Sequence, residues 1–148
     1  MKKDLKLYNL IFPIWLLLLV PPVWLVILPA NFIVDSLVIL ITMMVIGIHQ
    51  KRKMYIKSIF KVWIFGFISD IIGTAVIFAL SVLINKGFDD NPAFTIPGVL
   101  IAAIMIFIFN YLFSFKKYDK GTRFKMALSL MIFTAPYTFL IPTSWIYY

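Results

Sequence analysis

Two carboxylic acids stand in this chain where lipid-facing hydrocarbon is expected. Asp35 lies in the apolar stretch Asn31 to Gln50, NFIVDSLVILITMMVIGIHQ, and Asp70 lies in a second apolar stretch, Val62 to Ile84. At about 100° per residue, Asn31, Asp35, Thr42 and His49 fall within about 40° of one another on one helical face. In the second stretch Trp63, Gly66, Asp70, Thr74 and Ser81 lie within about 40° of the direction of Asp70, with Gly73 about 60° away and the apolar Ile77 interrupting the face. An ionised Asp at the centre of a membrane helix costs about 2.5–3.5 kcal/mol on insertion scales, so its presence points to proton or cation binding. Asp70 and Asp35 are the expected binding groups, and Thr42, Thr74, Asn31 and Asn110 the hydrogen-bonding lining of a polar pathway. His49 sits at a helix end beside a basic loop, where an interfacial role is expected ahead of proton carriage.

Other chemistries have little to work with. The sequence contains six Asp and one His but no Glu and no Cys. Thiol chemistry and cysteine-based metal sites are excluded. No glycine-rich phosphate loop, HExxH pattern or Ser–His–acid arrangement is present, so neither an enzyme nor a cofactor is expected.

The elements that must position these groups are membrane helices. Of 148 residues, 63% are hydrophobic and 14% charged, with a mean hydropathy of +1.00, far from the composition of a soluble domain. The apolar runs predict an all-α bundle of five transmembrane helices in one domain, spanning about residues 10–28, 31–50, 62–84, 95–115 and 126–146, each long enough for a hydrocarbon core of about 30 Å. The first helix is expected to be kinked or broken at Pro21-Pro22, since two backbone donors are lost there. Pro29-Ala30 is expected to form a tight turn, with Asn31 capping the second helix. Pro136 falls near the middle of the fifth span, between Thr134 and Thr138.

The formal charge of +8 is a topology signal. Three Lys or Arg precede the first span, five separate the second from the third, five separate the fourth from the fifth, and one lies between the third and fourth. The positive-inside rule then places the N-terminus in the cytoplasm and Tyr148 outside, as expected for a multi-pass protein of a bacterial cytoplasmic membrane. The basic loops are expected to meet anionic lipid, and nucleic acid is not an expected partner, because no soluble surface carries the charge.

Counting depth at about 1.5 Å per residue puts Asp35 about 21 Å above the level of His49 and Thr42 about 10 Å above it. With the third helix starting at Val62, Asp70 is about 12 Å up, Thr74 about 18 Å up, and Asn110 about 8 Å up its own helix. Asp70 is therefore expected level with Thr42 and near Asn110, and Asp35 level with Thr74. The shared pattern F-I-x-D at Phe32–Asp35 and Phe67–Asp70 is a faint echo of the inverted repeats of transporters. Two functions follow as expectations. One is a small, homo-oligomeric transporter or channel for a proton or cation. The other is a non-catalytic accessory or assembly subunit whose Asp residues pair with a basic or polar group on a membrane-protein partner, with Gly66, Gly73 and Ser81 as the docking surface.

Overall fold

Prolines stand at several helix boundaries of this chain, at Pro21-Pro22, Pro92 and Pro136, and two others, Pro29 and Pro97, lie inside helices. The computed structural model describes residues 14–85, 91–142 and 145; among these it is helical throughout its regular structure, with no strand. A single helical turn, α1 (Ile14–Leu17), ends in a break over residues 18–20, and a 3₁₀ turn Pro21–Val23 leads into α2 (Trp24–Ile46). Pro22 lacks the N–H that would bond the Leu18 carbonyl in a continuous helix. The indole N–H of Trp24 takes that carbonyl instead, at 2.7 Å.

The expected tight turn at Pro29-Ala30 is a correction. Pro29 lies inside α2, so Asn31 is an interior helical residue and not a cap. The proline lies in the second turn and on the exposed side of the helix, and the indole N–H of Trp63 donates to the neighbouring Leu28 carbonyl at 2.8 Å. The interruption expected at Pro21-Pro22 therefore falls at the start of a long helix and not in the middle of one. Residues 10–13 of the expected first span, and both chain ends used to orient it, including Tyr148, lie outside the described residues.

α2 ends at Gly47, whose φ of +80° is the left-handed conformation glycine adopts without penalty. The amides of Gly47 and Ile48 both close on the Met43 carbonyl at 3.1 Å. After the short turn comes α3 (Lys51–Leu80), extended by a π-helical turn Ser81–Asn85. The basic stretch 51–61, which lies between the second and third expected spans, is thus the first three turns of this helix. α4 (Pro92–Phe109) is capped by the Asn91 side chain, which accepts from the Ala93 amide at 2.9 Å. It widens into a π-helical turn, Asn110–Ser114, and α5 (Lys120–Thr134) follows, capped by Asp119. α5 stops before Pro136, and a 3₁₀ turn, Tyr137–Leu140, succeeds it.

Among the described residues, three helical segments are long and apolar enough to cross a membrane: Pro21–Ile46, Lys51–Ile84 and Pro92–Ser114, of 26, 34 and 23 residues. The closest packing is between α3 and α4. A Cβ on Gly73 would sit 2.8 Å from both the Ala102 Cβ and the Gly98 carbonyl oxygen, and one on Gly98 would strike the side chain of Ile77. Backbones approach this closely in membranes only where small residues meet.

Two apolar clusters fill the interior. One joins Ile39 and Met43 of α2, Met54 and Val62 of α3, Ile106 of α4 and Leu130 of α5. The other joins Trp15, Leu18, Ile77, Phe94, Val99 and Phe139. Between these clusters the buried residues are Asp35 on α2 and Gly66, Ser69, Asp70, Gly73 and Thr74 on α3.

Candidate functional site

Asn31 and Asp35 are four residues apart, as are Gly66 and Asp70, so each pair stacks on one face of its helix. The two faces meet. The Asn31 amide Nδ2 donates to Asp70 Oδ2 at 3.3 Å. Opposite Asp35 stands Gly66, where a Cβ would lie 3.4 Å from the Asp35 carboxylate. A methyl group there would make an ordinary contact, and a larger side chain would press on the acid. Both acids are buried, Asp35 being 4% and Asp70 8% exposed. Asp70 Oδ1 has no hydrogen-bond partner.

These residues line one wall of a cavity of about 240 Å³. The opposite wall is the broken end of the fifth helix: Phe133, Thr134, Ala135, Pro136, Tyr137, Thr138 and Phe139. Pro136 cannot bond the Ile132 carbonyl, and the hydroxyl of Tyr137 donates to that carbonyl at 2.5 Å. The Thr134 hydroxyl donates to Leu130 at 2.7 Å. Other carbonyls of the last turn have no partner within the helix, because α-helices leave their final four acceptors open. The C-terminal end of a helix carries roughly half a negative charge. Two carboxyl groups and this helix end thus surround one small space, and each favours a cation or a proton.

The remaining residues expected at the site are elsewhere. Thr74 is fully buried one turn beyond Asp70, and its hydroxyl has no partner; it does not line the cavity and is not opposite Asp35. Thr42 is half-buried on the lower part of α2 and likewise off the cavity. Asn110 is satisfied within its own π-helical turn, donating to the Ile106 carbonyl and accepting from the Ser114 hydroxyl, each at 2.7 Å. It is not a partner of Asp70. His49 is exposed in the α2–α3 turn, among Lys51, Arg52 and Lys53.

The displaced register has one cause. Depth counting from Val62 ignored three helical turns, whereas the hairpin is set by the turn between Ile46 and Lys51. Asp35 consequently faces Gly66 and not Thr74, a shift of about 12 Å along α3. The end of α5 was missed as a wall of the site. Its signal was present in Pro136 and the flanking threonines, but an unbroken fifth span hides the carbonyls that a stop exposes.

No protein-family model, curated protein or solved structure matches this chain.

Proposed function

We propose that the chain is a small proton- or cation-linked transporter or channel of a bacterial cytoplasmic membrane, with Asp35 and Asp70 as the groups that bind the transported ion. One observation carries this: two buried carboxyl groups on neighbouring helices share a cavity with the interrupted end of a third. Discontinuous helices whose C-terminal carbonyls face acids near mid-membrane are a recurrent way of holding a cation without its water shell. Asn31 holds one oxygen of Asp70, leaving the other for the ion, and Gly66 keeps the space beside Asp35 open. The positive-inside rule orients the basic ends of α3 and α5 to the cytoplasm. Because residues 24–28 belong to α2, the first of the five expected crossings is left with the residues before the break at 18–20, and the fifth is interrupted at Pro136.

The alternative, an accessory subunit docking through Gly66, Gly73 and Ser81, loses its surface. Gly66 packs against Asp35, Gly73 against α4, and Ser81 is fully buried. A partner would instead have to cover the apolar outer side of α2, where Leu25 and Val45 are 81% and 82% exposed. The test is flux in proteoliposomes carrying an internal pH dye. Wild-type protein is expected to speed collapse of an imposed proton or cation gradient, and the Asp70→Asn variant to lose that effect. Equal flux in a variant that inserts and elutes like wild type sinks the proposal. A larger membrane protein co-purifying in fixed ratio favours the accessory subunit.

A further inference from the structure

At the end of the molecule remote from the acids, the first turns of α3 and the loop between α4 and α5 enclose a cleft. Lys53, Lys57 and Lys61 recur every four residues and so share one face of α3. Like charges at this spacing oppose each other. Lys57 and Lys61 nevertheless line one cavity of about 320 Å³ together with Lys116 and Lys117 from the loop. A second cavity of about 350 Å³ adjoins it, sharing Lys57, Lys117 and Tyr118 and adding Lys53. Little negative charge answers them. Of the Asp residues among those described, Asp35 and Asp70 line the other cavity. Asp119, at the edge of the second cavity, turns both carboxylate oxygens onto Thr122, at 3.0 Å to its amide and 2.7 Å to its hydroxyl.

Two further features specify what is missing. Ser58, in the wall of the first cavity between Lys57 and Lys61, is fully buried, and its hydroxyl has no partner. Phe113 lines the same cavity and is 50% exposed, so an apolar wall continues from the lysines onto the outer surface of the helices. Ammonium groups and a hydroxyl donor beside an apolar wall match a phosphodiester joined to acyl chains.

We infer that this cleft is a binding site for the headgroup of an anionic phospholipid. The phosphate lies among Lys57, Lys61, Lys116 and Lys117, Ser58 donates to it, and the acyl chains run along Phe113. The site is independent of the ion cavity, being separated from it by the apolar cluster of Met54, Val62, Ile106 and Leu130.

The test uses the full-length protein in a neutral detergent, titrated with short-chain phosphatidylglycerol, short-chain phosphatidylcholine or inorganic phosphate, with the shift in melting temperature as readout. Phosphatidylglycerol is expected to stabilise saturably, and the other two are not. The double variant Lys57→Gln/Lys117→Gln is expected to bind phosphatidylglycerol roughly thirtyfold more weakly, each lysine near an anionic surface contributing a factor of about five. The double variant Lys51→Gln/Arg52→Gln removes the same charge outside the cleft and is expected to bind as wild type. Ser58→Ala keeps every charge and is expected to weaken binding by about tenfold to a hundredfold, the loss of one hydrogen bond to a charged group. Should the cleft variants misfold, Ser58→Ala and the outside pair still decide the matter. Equal losses for the cleft and outside pairs, or an undiminished affinity in Ser58→Ala, overturn the site. Stabilisation by inorganic phosphate equal to that by the lipid overturns the lipid and leaves a soluble anion.

Discussion

Asp70 has one carboxylate oxygen held by Asn31 and one without a partner. A buried acceptor left unsatisfied costs about 1–3 kcal/mol, more when charged. That cost is removed when a proton or cation occupies the site. Replacing Asp70 with Asn keeps the shape and removes the charge, so the flux of Asp70→Asn in proteoliposomes is expected to fall about tenfold or more while its melting temperature does not drop, in keeping with the functional role of intramembrane acids. Gly66 gives a steric counterpart. Since a Cβ at 66 would sit 3.4 Å from the Asp35 carboxylate, Gly66→Ala is expected to fold with little change. Gly66→Leu has to displace the carboxylate; it is expected to destabilise by about 1–3 kcal/mol, as overpacking does, and to block flux. Thermal unfolding and flux measured on both variants check this. At this scale the sequence was informative about which groups matter and silent about their neighbours. Asp35, Asp70 and Asn31 stand out because lipid penalises them, and they do converge. Thr42, Thr74 and Asn110 were grouped with them by helical angle and depth, quantities that depend on where each helix begins.

Helix ends are where this fold departs from a row of straight apolar rods. At both Pro22 and Pro136 the orphaned carbonyl four residues earlier is taken by an aromatic donor just downstream, Trp24 in one case and Tyr137 in the other. Tyr137→Phe is therefore expected to cost about 0.5–1.5 kcal/mol, one hydrogen bond's net contribution, and to loosen the cavity wall; hydrogen exchange at the end of α5 measures it. At the other end of α5, the Asp119 carboxyl is held below its ordinary value of 3.8 by hydrogen bonds from the Thr122 side chain and amide. Because the folded value is the lower one, this cap's contribution is fully present above 3.8 and is lost as pH falls through the depressed value. Melting curves across that acidic range are expected to show a pH dependence that Asp119→Asn diminishes. Between helices, Gly73→Ala has to push α3 from α4, since its Cβ would meet the Gly98 backbone at 2.8 Å. A loss of about 1–3 kcal/mol on thermal unfolding is expected. Helix content was readable from the apolar runs, and the role of Pro136 as a stop was within reach. Pro29 was not, because a proline early in a helix and on its exposed side can be carried within it, and neither condition is readable until the start of α2 at Trp24 is known.

For the whole molecule, the arrangement is layered along the helix axes. The basic turns and clefts occupy one end, an apolar cluster follows, then the acids with the broken helix, then the second apolar cluster around Trp15 and Phe139. The convergence of Lys57 with Lys116 and Lys117 at one cavity puts the two most basic stretches of the sequence at the same end, as the alternation of charged loops required of antiparallel helices. On the transport proposal, and with that end cytoplasmic, a proton arriving from outside would meet the acids after the outer apolar cluster and would still have the inner one to pass. Orientation is thus part of the mechanism, and it can be measured directly. The chain has no Cys, so single-cysteine variants need no background removed. Lys51→Cys and Lys117→Cys, exposed at the basic end, are expected to react with a membrane-impermeant maleimide only after permeabilisation. Ala93→Cys, exposed in the first turn of α4, is expected to react in intact cells. Labelling of Lys51→Cys and Ala93→Cys from the same side would show that α3 does not cross, and the reverse pattern would place the lysine clefts outside and invert the direction in which the acids are loaded.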